Sequence, residues 1–321
     1  MEILNGLCAL PGPRTHAEND FITKVSVMKQ YAKARSIMEN SGRNLNCNIV
    51  QMLCRELDDL RDEHKDTWNQ EAEIILLGVQ LSIYTHQLEH YPPHDSTFSN
   101  SSSSYNQEAK NDIIVNITLG IAVRLIDAFN SITITDPNTA TPQRYLPKHY
   151  FSMLLVASTI IVKARTKYPS ITAHASATAQ NQLRQAYTIL SAWSARKHDE
   201  PDRAARLIEV LSRAERQGNL KLIESSKDAR TGIAVLSDAI MTAKELSESA
   251  KPSAATGLDH GSVSRTERND VYTEATWDMQ LRVEGEPDLN EQWVQEMLLD
   301  WDLGRHYDFQ MDTQEAGTWL L

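Results

Sequence analysis

The chain has 321 residues, of which 41% are hydrophobic and 23% are charged, as in ordinary globular proteins. Its formal net charge of −11 gives it no overall attraction to a nucleic-acid backbone. Three cysteines argue against a disulfide framework, and two of them, Cys47 and Cys54, fit buried positions on one helix face. The start is a poor signal peptide and no apolar run of about 18 residues occurs, so we expect no contact with a membrane.

Apolar residues recur every three or four positions along most of the chain, which is the spacing of one face of an α-helix. This periodicity predicts helices over the ranges 44–66, 70–91, 107–133, 147–168, 175–196, 200–215 and 228–248. No segment shows the strict alternation of a half-buried strand. The sequence therefore predicts an all-α fold, with a multi-helical regulatory domain over residues 1–248.

Two of the predicted helices differ in the width of their apolar face. Between 70 and 91 the apolar residues form a narrow stripe from Ile74 to Tyr91, which predicts one packing face and water on the other side. Between 147 and 168 they form a wide face, which predicts a central position in the fold.

Polar segments separate and follow the helices. Residues 95–106 contain a run of serines and predict a loop that is too polar to pack. Asp199 or a neighbour is expected to cap the helix at 200–215. Residues 249–272, rich in Ser, Gly, Thr and charge, predict a linker. Residues 273–321 form an acidic, aromatic segment, which we interpret as a flexible tail.

The acidic aromatic tail, residues 273–321, has the composition of an activation segment. Its part from 283 onward carries ten acidic residues and one basic residue, Arg305. Acidic charge keeps apolar groups in water until a partner groove lets the segment fold as a short amphipathic helix. The residues predicted to contact that partner are Trp293, Met297, Leu298, Leu299 and Trp301. The alternative is that the same residues form the last helix of the core.

One short pattern fits a magnesium site of terpene and prenyl synthases. Asp58, Asp59 and Asp62 match the DDxxD spacing, which holds carboxylates one helical turn apart for Mg²⁺ and a diphosphate. However, Arg61 lies at ion-pairing distance along the helix from Asp58, and Lys65 from Asp62. We therefore favour a solvated, ion-paired helix edge and keep a terpene-cyclase-like enzyme as an alternative function.

A second pattern, His86-Gln-Leu-Glu-His90, fits the paired histidines of inverted zinc metallopeptidases. Both histidines fall opposite the packing stripe of the predicted helix, where water is expected. A basic series along the helix at 200–215 (Arg203, Arg206, Arg213 and Arg216) favours solvated side chains paired with neighbours such as Glu209. No nucleophile elbow, phosphate loop or CxxC pair occurs. We therefore assign no catalytic, cofactor or metal residue and expect no enzyme activity.

The stretch 144–215 resembles a known family. Residues 144–151 read Arg-Tyr-Leu-Pro-Lys-His-Tyr-Phe and lead into a helix with small residues at 157–158. Tyr168-Pro169 ends that helix, and an Asp-rich turn at 199–202 precedes a further helix. This pattern resembles the C-terminal part of the fungal-specific transcription factor domain, the middle homology region of zinc-cluster transcription factors. The likeness extends over roughly residues 20–248.

The resemblance implies a nuclear transcription regulator. Such proteins carry an N-terminal zinc cluster that reads DNA, a coiled-coil dimeriser, this helical domain and an activation tail. The present sequence contains neither the cluster nor the dimeriser, so zinc and DNA binding are expected only through a segment absent here. The expected partner is a co-activator or the transcription machinery, and a small-molecule inducer and a homodimer are further expectations. A non-catalytic helical scaffold is the remaining alternative.

Overall fold

The computed structural model describes residues 15–41, 47–90, 103–134, 148–168, 171–197, 199–218, 220–221 and 232–249. All regular structure in these ranges is helical, which confirms the all-α class for the described part of the chain. The predicted linker and the acidic aromatic tail lie outside the described residues.

Eight α-helices make up the described part. They are α1 (His16–Ser41), α2 (Cys47–Glu63), α3 (Gln70–His90), α4 (Ser103–Ile134), α5 (Lys148–Lys167), α6 (Ala173–Trp193), α7 (Glu200–Arg216) and α8 (Gly232–Ser249). A single 3₁₀ turn, Lys65–Thr67, joins α2 to α3. None of the described helices is both long and apolar enough to cross a bilayer.

Within the described residues, helices α2 to α8 confirm the seven predicted helices to within four residues at each end, and residues 44–46 and 228–231 of the predicted ranges lie outside the described part. The predicted loop at 95–106 is wrong for its last four residues, because α4 already begins at Ser103. Small polar residues stabilise helix starts as well as loops, so their run is compatible with both. The rest of that predicted loop lies outside the described residues.

Helix α1 has no counterpart among the predicted helices. Its inward side carries a sparse series of four buried apolar side chains, Val27, Tyr31, Ala34 and Met38. Their spacing of four, three and four is that of a helix face. The many polar residues between them conceal this signal in the sequence.

Helix α3 is buried on nearly all sides, so the predicted narrow packing face is wrong. Every residue from Ile74 to Leu81 is buried. The reason is that α3 packs against five helices (α1, α2, α4, α5 and α8) rather than against one. A single apolar stripe in the sequence predicts one neighbouring helix, so it does not reveal the other four.

Helix α5 has the central position that its wide apolar face predicted. All residues from Tyr150 to Val162 are buried, and α5 contacts α4, α6, α7 and α8. Its first turn joins an aromatic cluster in which the ring of Phe129 meets Tyr150 and Trp193 edge to face, with centroids 6.1 and 5.9 Å apart. Helix α5 therefore anchors both α4 and α6.

Helix α7 begins at the predicted cap. The Asp199 carboxylate accepts hydrogen bonds from the backbone N–H groups of Asp202 at 3.0 Å, Ala195 at 2.7 Å and Arg196 at 3.0 Å. Burial alone would raise the pKa of Asp199, but these N–H donors outweigh it and lower the pKa. The cap thus fixes both the start of α7 and the turn that leads to it.

A charged junction joins α2, α3 and α4. The Glu73 carboxylate accepts hydrogen bonds from Arg61 of α2 and Arg124 of α4, each at 3.1 Å, and from the Trp68 indole at 3.0 Å. Because the Glu73 carboxylate accepts hydrogen bonds from three partners, it links the three helices at one point.

Candidate functional site

The three aspartates of the DDxxD pattern lie on the outside of α2. Asp58, Asp59 and Asp62 are all exposed. Asp58 accepts a hydrogen bond from the Gln80 amide at 3.0 Å and lies 3.8 Å from Arg61, which confirms the predicted pair with that arginine. The structure therefore places Asp58 at the contact between α2 and α3.

The histidine pattern lies at the end of α3. The prediction that this side of the helix faces water is wrong for His86, which is half-buried, because neighbouring helices cover α3 nearly all round. The side chain of His90 lies outside the described part of the chain. Within the described residues, no three His, Cys, Asp or Glu side chains come together as a metal-binding group.

The thiol of Cys54 behaves as the buried small group that the sequence predicts. Burial raises the pKa of Cys54 to about 12, beyond what the nearby Tyr84 hydroxyl offsets. Because a thiol with this pKa is protonated near neutral pH, it is a poor nucleophile and a poor metal ligand. Cys47 is half-buried one turn before Val50.

The basic series on α7 is partly paired, as predicted. Arg213 contacts Glu209 at 2.6 Å, and Arg206 contacts Asp202 at 3.2 Å. Arg216 donates from Nε to the backbone oxygen of Ser212 at 3.3 Å. Arginines of this helix therefore do not form one continuous basic surface, and only its C-terminal part borders a cleft.

That cleft lies between α5, α6 and α7 and has a cavity volume of about 20 Å³, which is room for about one water molecule. Leu183 and Tyr187 of α6 and Ile208 of α7 line it together with polar and charged side chains. Arg184 and Arg216, both exposed, border it. We refer to it below as the α5–α7 cleft.

A nearly buried ion pair forms one side of the α5–α7 cleft. Arg165 of α5 and Glu215 of α7 lie 3.1 Å apart, with only 12% and 13% of their side chains exposed. Arg165 also donates to the Ser176 hydroxyl at 3.2 Å, so it links α5 to both neighbouring helices. Burial raises the pKa of Glu215, and the positive charges of Arg165 and Arg216 offset this only in part.

The carboxylates that line the α5–α7 cleft are paired with arginines. Glu215 pairs with Arg165, and Glu209 pairs with Arg213. Arg184 and Arg216 are exposed beside these pairs.

The sequence does not predict the α5–α7 cleft. The apolar periodicity gives no role to Arg165 or Glu215. The only available signal is that Arg165 follows a long apolar run, so its charge needs a partner when that helix is buried. Nothing local identifies a partner fifty residues later in the sequence (215 minus 165).

The five predicted activation residues, from Trp293 to Trp301, lie outside the described residues. No family model, no curated protein and no solved structure matches this chain. The likeness to the fungal transcription factor domain therefore stays a prediction.

Proposed function

We propose that this chain is the regulatory and activating portion of a fungal zinc-cluster-type transcription factor and that it acts in the nucleus. The observation that carries the proposal is the placement of Trp293, Met297 and Trp301 every four residues in a strongly acidic segment. Such a segment can fold as a short helix against a groove of a co-activator or of the transcription machinery. DNA is reached through a segment absent from this sequence.

The helical body supports the proposal by its organisation. The stretch that carries the family likeness coincides with α5, α6 and α7, which pack on one another and enclose the α5–α7 cleft. A packed helical body is suited to gate an attached tail, with a small-molecule inducer or a co-regulator as the trigger. The exposed positions of Asp58, Asp59 and Asp62 give the magnesium-dependent alternative no support.

The test is a reporter assay with residues 273–321 fused to a foreign DNA-binding domain. We expect activation by the intact tail and a loss of about tenfold or more when Trp293→Ala and Trp301→Ala are combined, because bulky aromatic residues dominate the energy of such interfaces. The matched control replaces Trp277 and Trp319, which stand outside the four-residue repeat. Silence of the intact tail would contradict the proposal and favour the scaffold alternative.

A further inference from the structure

We propose that α1 is a releasable cover on α2 and α3, which opens as one unit while the helices around α5 stay folded. This inference concerns the helical body alone and does not depend on the activating role of the tail. Three properties of the described contacts carry it: a thin apolar contact, polar links that water reaches, and a position beside α2 and α3.

The apolar contact of α1 is thin. The helix has 26 residues, and its buried apolar side chains are Val27, Tyr31, Ala34 and Met38. In α5, by contrast, every residue from Tyr150 to Val162 is buried. Because the hydrophobic free energy is proportional to the apolar area that leaves water, α1 is held far less strongly than α5 for its length.

Polar contacts complete the interface of α1. Lys33 lies 2.9 Å from the Glu56 carboxylate of α2, and Gln30 also donates to that carboxylate. Lys24 pairs with Glu71 of α3. Water reaches both ion pairs, since 56% of the Lys33 side chain and 42% of the Glu71 side chain are exposed. Ion pairs in contact with water contribute little free energy, so these links set the position of α1 more than they hold it.

The position of α1 lets it leave with little effect on the other helices. It packs mainly on α2, α3 and the 3₁₀ turn, whereas the main neighbours of α5 are α4, α6, α7 and α8. Helix α1 also carries its own cap, because the Thr15 N–H donates to Glu18 at 2.7 Å and the Glu18 N–H donates to Thr15 Oγ1 at 3.3 Å. Its length and this cap favour helical structure in α1 after release.

Amide hydrogen exchange of the full chain, measured residue by residue at low urea concentrations, tests the release. We expect the amides of Val27, Tyr31 and Ala34 to share one opening equilibrium. Their protection should be about a hundredfold lower than that of the slowest amides in α5, because opening of α1 breaks only the contacts with its own neighbours.

The contact at Glu56 provides a variant that acts on α1 alone. Glu56→Lys places a like charge opposite Lys33 and should speed the exchange of the α1 amides about tenfold, with no change in α5. The control Glu245→Lys makes the same charge change at an exposed residue of α8 and should leave α1 unchanged. Adding Lys33→Glu to Glu56→Lys should restore the protection of α1.

Equal protection in α1 and α5 would overturn the proposal, since α1 would then open only when the whole body unfolds. A steady fall of protection from the middle of α1 to its ends would also overturn it, because that pattern indicates fraying and not release as one unit. An effect of Glu56→Lys on α5 as large as its effect on α1 would show that the two helices open together.

Discussion

The pair formed by Arg165 and Glu215 is a nearly buried charged contact between α5 and α7. Each side chain is more than four-fifths buried, so each charge depends on the other for the solvation that water no longer provides. The raised pKa of Glu215 shows that burial outweighs the pull of the arginines even with the pair intact. Removing one partner should therefore cost more than the pair itself contributes.

We predict that Arg165→Met lowers the free energy of unfolding by about 3 kcal/mol at pH 7, because it leaves a buried carboxylate without its partner. The pKa of Glu215 already lies above its ordinary value of 4.5 and would rise further in the variant. A group with a raised folded-state pKa loses stability as pH rises through that pKa, so the cost should shrink to about 1 kcal/mol or less at pH 4.

Urea unfolding at the two pH values measures this difference. The control is Arg184→Met, which removes an exposed arginine from the same cleft and should change stability by no more than about 0.5 kcal/mol at either pH. An equal cost of Arg165→Met at pH 4 and pH 7 would mean that the Glu215 charge is not the cause.

Among the helices, α3 meets α5 at Gly78. A Cβ atom added at Gly78 would lie 2.6 Å from Sδ of Met153, which is fully buried. Gly78 therefore leaves room for the Met153 side chain, which lies directly over it. By contrast, a Cβ added at Gly120 of α4 meets no atom within 4 Å.

The two glycines should respond in opposite directions to the same substitution. Gly78→Ala should destabilise the protein by about 1–3 kcal/mol, because the overlap with Met153 outweighs the better helix propensity of alanine. Gly120→Ala should stabilise it by about 0.5–1 kcal/mol, because only the propensity changes. Thermal or urea unfolding of both variants gives the comparison, and a gain in stability for Gly78→Ala would show that the two helices can separate at no cost.

At the scale of the whole molecule, the described helices form two connected groups. In the first group, α3 packs against α1, α2 and α4, with Glu73 as a charged junction. In the second group, α5 packs against α4, α6, α7 and α8. The exposed aspartates belong to the first group, and the α5–α7 cleft belongs to the second. A ligand of the body and a metal at the aspartates would therefore act on different parts of the fold.

We predict that Mg²⁺ raises the unfolding temperature of the wild-type chain no more than that of Asp58→Asn, because exposed, hydrogen-bonded carboxylates form no cage for the ion. Sodium chloride at matched ionic strength controls for screening. A rise in the wild type that Asp58→Asn abolishes, together with diphosphate release that depends on the same residue, would support the enzyme alternative instead.

The sequence by itself determined the helical class, the positions of seven helices, the cap at Asp199 and the central place of α5. These features depend on local spacing and on neighbouring residues, which the order of amino acids displays directly. Only the tertiary structure decided that α3 is buried on nearly all sides and that a cleft lies between α5, α6 and α7. Both depend on which helices pack together, and the Arg165–Glu215 pair joins residues fifty positions apart (215 minus 165), a contact that no local pattern specifies.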